Sequence, residues 1–415
     1  MNNLFIKNIY GAFRFFVKKH MLTNRQIFFE HIAQTTPEPM GLEITHAKGI
    51  YLYDKNNTEY IDLVSGVSVS NLGHLHPKVT SAITEQLEKY MHLMVYGDFI
   101  QAPQVKLAKK LSDVLPDNLN CTYFVNSGSE AIDGALKLAK RCTGRREIIA
   151  FKNAYHGGTH GALSILGNEE MKNAFRPLLP DIRQLRYNNI KDLEQITEKT
   201  ACVVVEPIQA EAGIILPENN FLEALNKRCK ETGSLLIFDE IQMGFGRTGE
   251  LFAFQKYNVT PDILCLAKAM GGGMPIGAFI SSKENMSKLT YNPMLGHITT
   301  FGGHPVCCAA ALASLNTIIE EKLPAQAEKK GKLFEENLIN HPQVKTIRRV
   351  GLMLAVELKN HDSMDAINLL IKDKLIVDPF LFNMNAFRIA PPLIITEKEI
   401  EQISETITKC LDSIS

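Results

Sequence analysis

A chain of 415 residues in which 45 basic side chains balance 45 acidic ones carries no formal net charge, which argues against a surface built for nucleic acid or another polyanion. Its 45% apolar and 22% charged residues suit a globular protein, long enough for a large α/β domain with a smaller companion. Eight cysteines, at 121, 142, 202, 229, 265, 307, 308 and 410, include no C-x-x-C pair, so neither a zinc ribbon nor a disulfide framework is suggested and a reducing cytoplasm is the expected location.

The first residues, 1–20, are basic and aromatic without one acid, and lack both an uninterrupted apolar core and a small-residue cleavage site. They read as an extension, neither signal peptide nor membrane span, with the fold beginning at Met21. Residues 21–75 form an N-terminal segment. Within it GIYLYDKNNTEYIDLVSG (49–66) alternates about an Asn-Asn turn like a hairpin and is expected to pack on the smaller domain.

Residues 76–315 make the larger domain. NSGSEAIDGALKLAKR (126–141) opens a helix: Ser127 and Glu130 read as a capping box, Gly128 lets a ligand approach the backbone, and an apolar face starts at Ala131. A helix N-terminus with a glycine and two hydroxyls, Ser127 and Ser129, suits a monophosphate, although an ordinary well-capped helix has the same pattern. Continuous apolar runs follow: EIIAFKN (147–153), ACVVVEPI (201–208), SLLIFDE (234–240), DILCLAK (262–268) and IGAFISS (276–282). Strands apolar on both faces belong in a sheet covered by helices on both sides. Helical patterns such as FLEALNKRCKETG, closed by Gly233, lie between most of them, so a largely parallel sheet is predicted. Ligands of such sheets sit beyond the carboxyl ends of the strands, where Glu206, Asp239 with Glu240, and Lys268 close their runs.

The stretch IFDEIQMGFGRTG (237–249) holds Gly244, Gly246 and Gly249 in G-x-G-x-x-G spacing. A dinucleotide loop puts its first glycine directly after the strand, whereas Asp239 to Met243 intervene here, and carboxylates at that mouth would repel pyrophosphate. The glycines read instead as a close-packed turn, with Arg247 expected to pair Glu240. An Asp ending a buried strand is costly unless it meets a cation, and one such cation is the protonated nitrogen of a pyridine cofactor. Lys268, desolvated at its strand end and followed by AMGGGMPIG, is a Schiff-base candidate. Cys265, Cys307 and Cys308 read as buried structural thiols. The tail, 316–415, is a smaller α+β domain with strands in VGLMLAVELK and AFRIAPPLII and a last helix from Thr396, whose T-E-K-E start is a capping box. His74 with His76, and His156 with His160, share no carboxylate in their motifs, so no metal site is expected.

FDEIQMGFGRTGELFAFQ, then PDILCLAKAMGGGMPIGA, resembles the signature of class III (omega-type) aminotransferases, the family of acetylornithine, ornithine and 4-aminobutyrate aminotransferases. The likeness runs from about residue 38 to the end. It implies α/β fold type I, the aspartate-aminotransferase fold, with pyridoxal 5′-phosphate as cofactor and a homodimer whose active sites lie at the subunit interface. Carried over residue by residue, it implies that Lys268 holds the cofactor covalently and shuttles a proton between Cα and C4′, while Asp239 keeps the pyridine nitrogen protonated. Gln242 would bond the ring hydroxyl, Ser127, Gly128 and Ser129 the phosphate, and Tyr155 would stack on the ring. His156 and Glu206 would also contact the cofactor, and Thr300 would reach the phosphate from the neighbouring subunit, beside Thr299 in the substrate region. Arg388 would bind a substrate carboxylate, and Glu211 would pair with it when the donor presents none.

Two positions depart from the family. Its members usually place an arginine where Gly158 stands, and losing that contact removes roughly 1.5 to 3 kcal/mol of carboxylate binding. Val67 replaces the tyrosine of ornithine aminotransferases. The expected enzyme therefore takes a less polar or differently anchored amine donor, with His160 as a substitute contact, and passes the amino group to a 2-oxo acid such as 2-oxoglutarate in a ping-pong cycle. An aminomutase or racemase of the same fold is the alternative; a nicotinamide dehydrogenase or an inactive binding protein fits the motifs less well. No nucleic-acid or membrane partner is expected.

Overall fold

The computed structural model describes residues 22–95, 97–359 and 361–414, so the extension expected over 1–20 lies outside the described residues. The described residues divide into two compact units, one of 22–46 together with 52–59, the other of 47–51 and those from 60 to 414. In the first, Thr23 and Gln26 form a capping box at the start of the helix Asn24–His31. The expected Asn-Asn turn is present: Asp54 Oδ1 accepts from the N–H groups of Asn56 and Thr58, each at 2.8 Å.

The strands in chain order begin with β1 Ile44–Lys48, β2 Tyr51–Asp54, β3 Glu59–Asp62, β4 Cys121–Val125, β5 Glu147–Phe151, β6 Ile182–Leu185, β7 Thr200–Val205 and β8 Leu235–Asp239. They continue with β9 Ile263–Leu266, β10 Gly277–Ser281, β11 Val344–Val350, β12 Met353–Leu358, β13 Leu375–Ile376, β14 Asp378–Phe380 and β15 Asn383–Ile389. The second unit is built on a seven-stranded sheet of order β4-β10-β9-β8-β7-β5-β6. β9, β8, β7, β5 and β6 run parallel, and β10 is antiparallel to both β9 and β4. The largely parallel, helix-covered sheet read from the apolar runs is thus present. β7, β9 and β10 are buried along their whole length, as strands covered on both faces must be.

The helix Gly128–Thr143 buries Ala131, Ile132, Ala135, Leu138 and Ala139 at helical spacing. Ser127 Oγ accepts from Glu130 N–H at 3.2 Å, but the reciprocal half of the expected capping box is missing, because Glu130 turns back to Asn126 N–H at 2.6 Å. Gly233 ends the helix Phe221–Thr232 with φ +66°, as its sequence position indicates. The tail holds an antiparallel sheet of order β11-β12-β15-β14 and ends in the helix Glu397–Asp412, which packs on the helices Leu323–Leu338 and Ser363–Lys372, forms its capping box and buries Ile400, Ile403, Ile407 and Leu411. β13 pairs in parallel with β3, Leu375 opposite Ile61. No helix among the described residues is long and apolar enough to cross a membrane.

One expected ion pair is not made. Arg247 does not meet Glu240: its Nη1 donates to the carbonyls of Leu352 (2.9 Å) and Pro391 (2.5 Å), and its Nη2 to Asn71 Oδ1 (2.6 Å). Glu240 accepts from the N–H groups of Ala253 and Phe254 at 2.6 and 2.7 Å, and burial pushes its carboxyl up to about 8. Backbone amides serve a buried acid without bringing in a second charge to desolvate. The glycine turn brings Arg247 into this position: Gly246 takes φ +91°, a conformation that side-chain-bearing residues rarely adopt, and a β-carbon there would press on Leu393 Cδ1 at 3.0 Å. Arg247 is fully buried, so Arg247→Ala strands three acceptors around a cavity; an unfolding free energy lower by about 3 to 5 kcal/mol is expected from denaturant titration.

Candidate active site

The carboxyl ends of the central strands and the N-terminus of the helix Gly128–Thr143 wall a cavity of about 440 Å³, within the usual range for a small-molecule site. Nine of the residues singled out from sequence line it together: Ser127, Gly128, Ser129, Tyr155, His156, Glu206, Asp239, Gln242 and Lys268. Asp239 is the last residue of β8, and Glu206 directly follows β7. Lys268 does not close a strand, as its run implied: β9 stops at Leu266, and Lys268 opens a 3-10 turn with φ +49°. A left-handed conformation for a side-chain-bearing residue costs on the order of 1 to 3 kcal/mol and persists where the surroundings impose it. The turn Ser65–Ser68 shows the same feature, with Val67 at φ +62°, and Val69, directly after the turn, reaches the cavity.

Asp239 is fixed at both oxygens. Its Oδ1 accepts from Ile241 N–H at 3.0 Å, and His156 Nδ1 lies 2.7 Å from its Oδ2. A carboxylate oxygen only accepts, so Nδ1 carries the hydrogen. Glu206 accepts from Ala210 N–H at 3.2 Å and Tyr155 N–H at 3.4 Å; burial, then the neighbouring Asp239, hold its carboxyl well above the usual range. Burial lowers the Lys268 ammonium below the ordinary lysine value, with Arg388 acting in the same sense and Glu211, Asp239 and Glu206 opposing. Ser129 Oγ bridges to the neighbouring loop, 2.7 Å from Thr159 Oγ1 and accepting from Thr159 N–H at 2.9 Å. Gly157, not among the site residues expected from sequence, makes this loop possible: its φ is +130°, and a β-carbon there would lie 2.4 Å from Ser129 Oγ.

Arg388 and Glu211 lie outside the cavity lining, joined to each other at 2.9 Å in a buried ion pair. Their charges still act on Lys268, and Glu211 follows burial among the causes that raise the Tyr155 hydroxyl. Thr300 is exposed on its own chain, and Thr299 Oγ1 accepts from Gly302 N–H at 3.0 Å; neither lines the cavity. No atom lies within 4 Å of where a β-carbon of Gly158 would sit, and Gly158 itself lines the cavity. His160, exposed at the start of a short helix, does not. His74 meets Asp62 at 2.9 Å, a loop contact. Among the described residues no three His, Cys, Asp or Glu side chains come together as a metal site would require.

The donor set fits a pyridine ring bearing a phosphate. Gln242 Nε2 and His156 Nε2 are buried without a hydrogen-bond partner, an arrangement a bound polar molecule relieves. A carboxylate held on one wall faces the need of a ring cation, and the helix N-terminus suits an anion. With the sheet order above, this cavity defines a pyridoxal-phosphate enzyme of fold type I.

The family model described as Aminotransferase class-III matches residues 32–411. The chain is 40% identical over 357 residues to an acetylornithine aminotransferase of Methanopyrus kandleri, covering 86% of this chain and 90% of that one. An ornithine aminotransferase structure from Toxoplasma gondii, with partial occupancy of the cofactor at its active site, superposes with a TM-score of 0.87 at 30% identity, covering 98% of this chain and 97% of that one. A cofactor-bound amine transaminase from an uncultivated Pseudomonas species gives 0.85 at 26%, covering 92% and 99%. The chain belongs to the class III aminotransferase family, and its cofactor is pyridoxal 5′-phosphate.

Proposed function

We propose that this aminotransferase takes the amino group of an amine or ω-amino acid and delivers it to 2-oxoglutarate, working as a cytoplasmic homodimer. The observation that carries the reading is the buried Glu211–Arg388 pair, which presents no free cation to a donor yet leaves an arginine for a carboxylate-bearing acceptor once Glu211 moves. Gly158 supports the same donor class, since the wall is open where relatives would place a second guanidinium.

When bound, the cofactor supplies an aldehyde carbon that takes the donor nitrogen and a cationic ring that accepts electrons from the Cα–H bond. Lys268 would hold it covalently and, as a free neutral amine, would move the proton between Cα and C4′; burial lowers its ammonium value and so favours the neutral amine. Asp239 stabilises the ring cation, and His156 keeps that carboxylate oriented. Gln242, Tyr155 and Glu206 would orient the ring, and Ser127, Gly128 and Ser129 would hold the phosphate; all six line the cavity. Thr300 completes the phosphate site of the partner subunit, with Thr299 beside its substrate. The exposed apolar side chains of the same region, Met294, Leu295, Ile298 and Phe301, favour such a pairing. We also assign residues 21–75 to a segment serving the small domain, 76–315 to the cofactor domain and 316–415 to the small domain, in keeping with the β3–β13 pairing.

Gly158→Arg tests the donor assignment. The kcat/KM for N-acetylornithine relative to an uncharged amine is expected to rise by about tenfold. An unchanged ratio overturns the role given to Gly158.

A further inference from the structure

Two acids of the cavity wall stand side by side. β7 and β8 run parallel with Val205 opposite Phe238, and the residues that follow these two are Glu206 and Asp239, each 5% exposed. Both line the cavity, and no other Asp or Glu does. Their surroundings differ. Asp239 accepts from Ile241 N–H at 3.0 Å and has His156 Nδ1 at 2.7 Å, whereas Glu206 receives two long backbone contacts, from Ala210 N–H at 3.2 Å and Tyr155 N–H at 3.4 Å. Among the described residues no cation forms an ion pair with Glu206. Arg388 is engaged by Glu211 and Asp378, and Lys268 feels Glu206 less than it feels Glu211 or Asp239.

Glu240 shows what such a place does to an acid. It accepts from two amides at 2.6 and 2.7 Å, closer than those of Glu206, and burial still pushes its carboxyl up to about 8. Glu206 has the longer hydrogen bonds and a second acid beside it. Burial first, then Asp239, with Glu211 in the same sense, act to keep its proton in place. Asp239 is the better served of the two, so the negative charge of the wall settles there. One ring cation balances one carboxylate, and a second carboxylate beside it would be buried without a partner.

We propose that Glu206 works as a neutral acid, a hydrogen-bond donor whose O–H meets an anionic oxygen of the occupant, carried either by the cofactor or by the substrate carboxylate. The residue type suggests an acceptor, but its protonated form supplies a donor. Asp239 is thereby left as the one ionised acid of the wall opposing the ring cation. An ionised Glu206 would do the reverse and repel the same oxygen. The inference goes beyond orienting the ring and rests on the reading of Glu206 as a member of the cofactor site.

The test compares the cofactor-loaded enzyme with Glu206→Gln, which is neutral and keeps a donor, and with Glu206→Leu, which is neutral and keeps none. Difference infrared spectroscopy at neutral pH, with glutamate labelled in its side-chain carboxyl, should show the carbonyl stretch of an un-ionised acid that Glu206→Gln lacks. The pH titration of the cofactor–lysine absorbance should move by less than about 0.3 pH unit in Glu206→Gln, since one neutral group replaces another; losing a negative charge would lower its midpoint by about one pH unit. Glu206→Leu should weaken binding by about tenfold, and Glu206→Gln should not. A loss in cofactor affinity, read by titrating the cofactor-free protein, places the acceptor oxygen on the cofactor. A loss in calorimetric affinity for glutarate, a dicarboxylate that cannot react, places it on the substrate. Unchanged affinities of Glu206→Leu for both, or an equal weakening in Glu206→Gln, overturn the donor role. A missing un-ionised band, or a titration lowered by a pH unit, overturns the neutral acid. If the unaltered chain itself shows no cofactor absorbance, the cofactor-site reading fails instead. Should Glu206→Leu not fold, the infrared and titration results on Glu206→Gln decide.

Discussion

Lys268→Ala is expected to lower turnover by about 10⁴-fold and to abolish borohydride fixation of the cofactor to the chain. The size follows from two tasks resting on one amine. Lys268 is the lysine of the cavity wall placed beside both Asp239 and the Glu211–Arg388 pair, and burial shifts it toward the neutral form required of a nucleophile and of a base. The carboxyls of Glu211, Asp239 and Glu206 pull the other way, so the shift is a balance and not an isolated burial effect. The strained φ of +49° belongs to the turn and survives the substitution, so the unfolding midpoint should move little. Added methylamine should restore part of the proton transfer, because it brings back a base without its tether. Turnover within tenfold of the unaltered enzyme, or a cofactor still fixed after reduction, would remove Lys268 from its assigned place.

The sheet was legible in the sequence because fully buried strands announce themselves: ACVVV and SLLIF have no polar face to hide them. β11 was not read, since Lys345, Arg348 and Arg349 interrupt its apolar pattern; they are placed there by partners far away in sequence, Glu357 for the first two and Glu328 and Glu335 for the third. β4 and β6 were passed over for a related reason, being short and incompletely buried at the sheet edges. Of the nine expected residues that line the cavity, Ser127, Gly128, Ser129, Glu206, Asp239 and Lys268 stand out in the sequence because the chemistry requires specific types at strand ends and at one helix start, whereas Tyr155, His156 and Gln242 are implied only by the family resemblance. The contact of Asp378 with Arg388, at 3.3 Å, is not legible in the sequence because it lies in a cross-strand register, which no local pattern encodes. Arg247 and Glu240 do not pair because backbone carbonyls and amides satisfy each of them without a second charge to desolvate. The glycine run that follows Met270 reaches the cavity at Gly273, as does Met274 after it.

Asp239→Asn is expected to reduce kcat by about 10³-fold while leaving the cofactor-free protein as stable or more so. The substitution keeps the shape of the side chain and the acceptor for Ile241 N–H, but removes the negative charge from the cavity wall. In the cofactor-free protein that charge is a burden, because it is buried and raises the carboxyl of Glu206 beside it. Removing it should bring Glu206 back toward its ordinary range and relieve repulsion, so thermal stability should hold or rise. With the cofactor bound the sign reverses: the same charge opposes a ring cation, and its loss is felt in the step that draws electrons from Cα. His156→Asn should cost far less, about tenfold, because it unsettles the carboxylate without discharging it. The double variant should be scarcely worse than Asp239→Asn alone, since His156 acts through a group already neutralised. A fall in kcat matched by an equal loss of stability would recast Asp239 as a structural acid. Independent, additive losses at the two positions would separate His156 from the task given to it here.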